Sequence, residues 1–240
     1  MNFTYTAYIE MIKLLENMKY NIASYDNYQR YEKCVILRHD IDYRIESAYK
    51  LGQIEYKDVG VKSTYFLLLT SDFYNVFSLS SMKMIDGILA CGHEIGLHFD
   101  EYRYYDLADN RDAIKDKILH EADVLSKAVG TKITKVSMHR PSKFMLNSDM
   151  EIPGIINTYN TVFFRDFKYL SDSRRTWREP VEDIIRKSLY NRLQILVHPF
   201  WYYDKEINIQ ESVKRFIDNA NVERYQAMDS NISNLSEIMR

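Results

Sequence analysis

The sequence predicts an α/β barrel-like domain, and three observations lead there. Short apolar runs rich in β-branched residues alternate with segments of helical periodicity along most of the 240 residues. Roughly six or seven such β/α units fit. Four of the apolar runs end in residues that bind metals or move protons: CVILR before His39-Asp40-Ile41-Asp42, HEIGL before His98, KVSM before His139-Arg140, and QILV before His198. In a barrel of parallel strands the carboxyl ends of all strands meet on one face, so side chains distant in sequence converge there. One histidine at a strand end is weak evidence of function, because such residues are commonly satisfied rim or core groups. Repetition on four strands carries the inference.

The elements follow in order. Tyr8, Met11, Ile12 and Leu15 recur at helical spacing, so a helix over residues 5–18 precedes the first strand. That strand spans 34–37 and ends at the charged cluster 38–42. A helix over 45–59 leads to a strand over 63–69. Ser80 or Ser81 caps the next helix, which runs to about residue 90, and Gly92 stops it. A strand over 93–98, a long amphipathic helix over 110–129 with Gly130 as its stop, and a strand over 135–139 continue the rhythm. Within 147–170 the β-rich stretch 158–164 reads as a strand, and 152–156 as short helix or loop. A helix over 181–190, a strand over 193–198 and a helix over 208–219 complete the reading. The chain is expected to form one domain, 1–240, with residues 1–30 as a helical extension packed on it.

Composition narrows the function classes. A formal charge of -2 with acids and bases interspersed gives no general basic field, which argues against nucleic acid as a partner. Cys34 and Cys91 match no metal or redox spacing and read as reduced structural thiols. The N-terminus lacks the features of a secretory signal, and no run approaches a membrane span, so a cytoplasmic location is the expectation.

Asp40 and Asp42, two residues apart at a strand end, point to the same side. Such a pair divides labour: one carboxylate holds a divalent ion and the other accepts a proton from water. Capping of the next helix explains one aspartate but not both. His98 supplies an imidazole nitrogen to a zinc-like ion. Gly96, on the same strand, marks either a close approach or a bulge. His93 belongs to the opposite end of that strand and reads as structural. Arg140, beside His139, is placed to hold Asp40 in a bidentate pair, or else is a surface arginine. His198 is fit to be a general acid. Trp201 and Tyr202 after it form either a sugar-stacking wall or core. The polar stretch 171–178 is either a solvated loop or a functional one, in which Asp172 orients a histidine and Arg174 meets an anionic group of a substrate.

Taken together these segments resemble the polysaccharide deacetylases of carbohydrate esterase family 4, especially the divergent branch found among bacterial surface-polysaccharide genes. The resemblance spans roughly residues 34–201. HDID resembles the family's first motif, GHEIGLH the second, HRPS the arginine-proline motif, SDSRRTW the aspartate-tryptophan motif and LVHP the late histidine motif. It implies a distorted (β/α) barrel with about seven parallel strands and its active site at the strand carboxyl ends. It further implies a divalent metal (zinc, or else cobalt, nickel or iron) and hydrolysis of an N- or O-acetyl group on a sugar or polysaccharide precursor. By motif, Asp40 is the base, Asp42 and His98 are metal ligands, and His198 is the acid. Arg140 orients Asp40, Asp172 tunes His198, and Trp177 lines the acetyl pocket. One position departs from the pattern: where the second motif has another histidine, this chain has Tyr102. His139 is the nominated replacement ligand, with Asp100 or Glu101 as alternatives. Without a replacement, the chain is expected to be a carbohydrate-binding or scaffolding relative that has lost the metal.

Overall fold

Strand β2 (Cys34–Ile41) is the axis of the fold, and all eight of its residues are buried. Only a strand covered on both faces and both edges tolerates that, which is why the run reads as continuously apolar up to Leu37. In the computed structural model, which describes residues 1–107 and 110–239, strand β8 (Arg192–Val197) lies along one edge of β2. The other edge is shared: β1 (Asn21–Ala23) pairs with its first half and β3 (Thr64–Leu68) with its second. Strands β4 (Glu94–Phe99), β5 (Lys135–Met138) and β6 (Ile156–Asn157) extend the sheet beyond β3, and β7 (Lys168–Ser171) extends it beyond β8. Every pairing is parallel. The seven strands in the order β6-β5-β4-β3-β2-β8-β7 form a curled half-barrel with flanking helices, as a distorted (β/α) barrel requires. Among the described residues β6 and β7 do not pair. Tyr159, Phe164 and Tyr169 stack on one another beside these two strands.

Helix α1 (Tyr5–Asn17) starts at Thr4, whose hydroxyl accepts from the Ala7 amide, and buries Tyr8, Met11, Ile12 and Leu15 as its periodicity demands. Crossovers between parallel strands are supplied by α2 (Ile45–Ile54), α3 (Leu79–Ala90), α4 (Arg111–Val129), α5 (Lys143–Asn147) and α6 (Val181–Arg186). Helix α3 is capped by Ser78, whose hydroxyl accepts from the Ser81 amide, and not by Ser80 or Ser81 as expected. Gly92 and Gly130 adopt the left-handed backbone expected of helix stops. These elements belong to a compact unit, Met1–Asp204; a second, Lys205–Arg240, consists of α7 (Ile209–Asp229) and α8 (Leu235–Ile238). No helix among the described residues is long and apolar enough to cross a membrane.

The expected strand over 158–164 is not one. Asn160 starts a widened helical turn, Val162–Asp166, in which its side-chain oxygen accepts from the Phe163 amide and its carbonyl from the Phe164 amide. The strand lies further on, at Lys168–Ser171. The β-branched and aromatic residues there serve packing: Phe163 meets Tyr25 and Tyr28 edge to face.

Two packing features position the site. Gly96 sits opposite Phe66 across β4 and β3, and a Cβ at Gly96 would come within 2.6 Å of the Phe66 ring carbon Cδ1. The close approach lets Phe66 lie flat inside the barrel beneath the Arg38 guanidinium, 5.4 Å from its ring centre. On the outer side of β2, α2 ends in a widened turn, Glu55–Val59, that carries the fully buried Glu55. Tyr8 and His39 donate to its Oε1, the latter at 2.8 Å, and Ser63 and Tyr65 to its Oε2 at 2.5 and 2.7 Å. His93 donates to the Gly52 carbonyl at 2.9 Å on the rim of this cluster, so its role is structural. Four donors, from α1, β2, β3 and the residue before β3, fix α1 and α2 against β2 and β3.

Gly96→Ala is expected to cost about 1–3 kcal/mol by overpacking, read as a lower urea midpoint at unchanged slope; an unchanged midpoint contradicts the close approach. Burial opposes ionisation of Glu55, yet His39 and the other donors bring its carboxyl down to about 2 from an ordinary 4.5. Stability from this group is therefore complete above pH 4.5 and is lost as pH falls toward 2, by roughly 3 kcal/mol in all. Glu55→Gln should flatten that acid limb in pH-dependent melting, whereas an acid limb identical to wild type counts against the cluster.

Candidate active site

Alternation along β2 carries Arg38 and Asp40 to the inside of the barrel. Arg38 is wholly buried and grips Asp40 with two bonds, Nε to Oδ1 at 3.0 Å and Nη2 to Oδ2 at 2.7 Å. Nη1 donates to Thr158 Oγ1 at 3.1 Å, and Nη2 is also within reach of Tyr159 Oη at 3.2 Å and of Ser137 Oγ. Burial works against the Asp40 charge, but Arg38 outweighs it and holds the carboxyl below its ordinary value. Arg140 therefore does not orient Asp40. Its guanidinium is largely exposed and pairs with Asp100, which tethers the β5 and β4 ends to each other. The bidentate geometry anticipated for an arginine is present, but with Arg38 as donor.

Asp42 follows at the end of the same strand. Its Oδ1 lies 3.2 Å from His98 Nε2 and 3.3 Å from His139 Nδ1, and these two nitrogens are 3.1 Å apart. The remaining nitrogen of His98, Nδ1, donates to Ser137 Oγ at 3.1 Å. With that proton placed, Nε2 presents its lone pair to the other two atoms. Ser137 in turn donates to Asp40, so one hydroxyl orients both the carboxylate and the imidazole.

This set fits a divalent ion. Asp42 Oδ1 is shielded from solvent and makes no hydrogen bond despite its two near nitrogens. Ligands 2.0–2.1 Å from a tetrahedral zinc stand roughly 3.3 Å apart, the spacing of these three atoms. One carboxylate and two imidazoles suit zinc, and cobalt, nickel or iron as well. Tyr102 is exposed in the turn after β4, beneath the Arg140 guanidinium. Asp100 is engaged by Arg140, and Glu101 accepts from the Ser142 amide. His139, carried by the neighbouring strand end, brings its nitrogen to the place.

His198 stands across the cleft, its Nε2 3.7 Å from Asp42 Oδ2. Asp172, at the end of β7 and fully buried, accepts from His198 Nδ1 at 2.6 Å and from its backbone amide at 3.0 Å. Burial disfavours the imidazolium, but the Asp172 carboxylate prevails and raises His198 to about 9. Two adjoining cavities share His139 and His198. The inner one, about 310 Å³, reaches Asp40 and is walled by Tyr159, Tyr169, Leu196 and Trp177, whose indole N–H is buried without a hydrogen bond. The outer one, about 870 Å³, borders Asp42 and includes Arg174 and an edge of Trp201. Trp201 is itself buried, packed on Phe200 and Tyr43, so it joins wall and core.

Arg38, Ser137 and Tyr159 are the site residues that sequence reading passes over. The alternation that aligns Asp40 with Asp42 applies equally to Arg38, and that signal was sufficient to find it. Ser137 and Tyr159 lie in ordinary β-type runs with no local mark.

No family model matches this sequence, and no curated protein sequence does. Among solved structures, the chain is similar to a polysaccharide deacetylase of Bacillus cereus (16% identity, TM-score 0.46, 80% of this chain and 88% of that one). It is also similar to the catalytic domain of a peptidoglycan N-acetylglucosamine deacetylase from Eubacterium rectale (15%, 0.45, 79% and 84%). A third is a carbohydrate esterase domain of a multidomain xylanase from the hindgut metagenome of Trinervitermes trinervoides (14%, 0.45, 80% and 85%). The functional assignment rests on the geometry of the site itself.

Zinc titration should find one tight site per chain. Ser137→Ala, which frees the His98 ring, is expected to weaken it roughly 10–100-fold, and His139→Ala to weaken it further; a His139→Ala protein that binds zinc like wild type removes His139 from the ligand set.

Proposed function

We propose that the protein is a divalent-metal-dependent hydrolase that removes an N- or O-linked acetyl group from a sugar or polysaccharide precursor. The observation that carries the proposal is the convergence of Asp42, His98 and His139 between two oppositely tuned groups, the ionised Asp40 and the protonated His198. Such separation of carboxylate and imidazole assigns base and acid.

Asp42, His98 and His139 would hold the ion. When bound, it supplies polarisation of an acyl carbonyl and a lowered pKa for water. Asp40, held by Arg38 in one orientation, accepts a proton from the attacking water as the water oxygen bonds to the acyl carbon. His198 faces it from β8. As the bond from that carbon to the sugar nitrogen or oxygen breaks, His198 gives its Nε2 proton to the leaving amine or alcohol. Asp172 keeps the imidazole turned and charged for this transfer. Acetate and the deacetylated sugar are the products. The inner cavity beside Asp40, small and walled by Tyr159, Tyr169, Leu196 and Trp177, suits the acetyl methyl, while the wider outer cavity suits the sugar. The alternative of a metal-free binding or scaffolding relative draws on Tyr102, and the position of His139 weighs against it.

The test is acetate release from acetylated sugars by the zinc-loaded protein. Asp40→Asn should abolish release by about a factor of 100 or more with zinc binding retained, in line with the loss of a general base. Asp172→Asn should slow release with zinc retained. Acetate release by Asp40→Asn at the wild-type rate refutes the base assignment, and sugar binding without any acetate release favours the binding relative.

A further inference from the structure

The outer cavity is lined by three guanidinium groups, Arg140, Arg174 and Arg178, close to the Asp42–His98–His139 cluster. Arg140 is neutralised by Asp100. Arg174 and Arg178 are exposed, and neither makes an ion pair among the described residues. Glu179, the acid next to Arg178 in sequence, is drawn away by Lys168 at 2.7 Å. The other acids on the cavity wall are Asp42, which faces His98 and His139, and Asp72, in the loop after β3. Two guanidiniums without an ion pair among the described residues therefore border this concave surface, where an anion gains charge-assisted hydrogen bonds.

The backbone holds one of them there against its preference. Arg174 has φ 58° and Arg175 φ 57°, a left-handed conformation uncommon outside glycine and of measurable cost. The turn is pinned by the Asp172 carbonyl, which accepts from the Thr176 amide at 3.2 Å, so it is fixed to the residue that orients His198. On the opposite wall Thr70 presents a hydroxyl that is buried and makes no hydrogen bond. Phe73 is 56% exposed and packs on Tyr43, an aromatic surface suited to a sugar ring.

We propose that the outer cavity recognises an anionic substituent, a phosphate or a carboxylate, carried by the acetylated sugar, through Arg174 and Arg178. This rests on the reading of the site as a sugar deacetylase and deepens it: the substrate is a charged sugar, selected at a distance from the acetyl group. Phosphate and carboxylate each present a pair of oxygens that a guanidinium fork binds bidentately, and the test separates them.

Calorimetric binding to the zinc-loaded full chain would use N-acetylglucosamine, N-acetylglucosamine 1-phosphate and N-acetylglucosaminuronic acid. At least one charged sugar should bind roughly ten-fold tighter than the neutral one, and the preference should shrink in high salt. The phosphate or the carboxylate arm identifies the substituent. Arg174→Gln/Arg178→Gln should abolish the preference, bringing the charged sugars to the affinity of the neutral one. Arg178→Gln alone, where the backbone is unstrained, should lose part of it. Equal binding of neutral and charged sugars overturns the proposal, as does a preference that survives in the double variant, which is what the ion alone holding the anion would give. Acetate release from the neutral sugar without any charge preference would sink this proposal and spare the deacetylase reading, whereas charge preference without acetate release from any sugar would do the reverse.

Discussion

The buried Arg38 guanidinium is the constraint on which the rest of the site depends. A full charge inside a barrel is tolerated only when every donor is used and the charge is balanced. Asp40 balances it, Thr158 accepts from Nη1, and Ser137 and Tyr159 share Nη2 with Asp40. Those partners come from β2, β5 and the segment after β6, so satisfying one side chain sets the spacing of several strand ends. Ser137 passes the constraint to His98, and through it to the cluster with Asp42 and His139. Phe66 lies under Arg38 because Gly96 leaves room for its ring. Removing Arg38 would strand Asp40 as an uncompensated buried charge, which explains why a site made of single residues on separate strands is held by one ion pair.

The two halves of the cleft are tuned in opposite directions by the same physical means. Burial penalises charge on both Asp40 and His198. Each is kept charged by a buried partner of opposite sign, Arg38 for one and Asp172 for the other. A carboxylate and an imidazolium thus face each other across the three candidate ligands. The pairs lie on different strands, Arg38 and Asp40 both on β2, Asp172 and His198 at the ends of β7 and β8.

Much of this was legible in the sequence because strand ends of a parallel barrel must converge. The runs ending at Asp40, His98, His139 and His198 read as strands, and the structure brings all four together. Asp172 was legible as the orienting partner of a histidine, and its bond to His198 has that form. The arginine was misplaced because Arg140 stands beside a proline and a histidine at a strand end, a position that looks functional, while Arg38 sits within an apolar run. Period-2 alternation decides between them, since it puts Arg38 on the inner face with Asp40. The stretch 158–164 was misread for a different reason. Its Val, Phe and Tyr content is that of a strand, but Asn160 provides a cap and the aromatics are needed for packing near the unpaired edges of the sheet. The short strand β1 has too few residues to show a period at all.

A zinc-edge X-ray absorption spectrum of the zinc-loaded protein decides whether Asp42, His98 and His139 hold one divalent ion together. Two imidazole nitrogens and a carboxylate oxygen are expected at about 2.0–2.1 Å, with no sulfur scattering from Cys34 or Cys91. A spectrum with one imidazole or none, or with sulfur in the coordination shell, would place the ion elsewhere and contradict a site shared by these three residues.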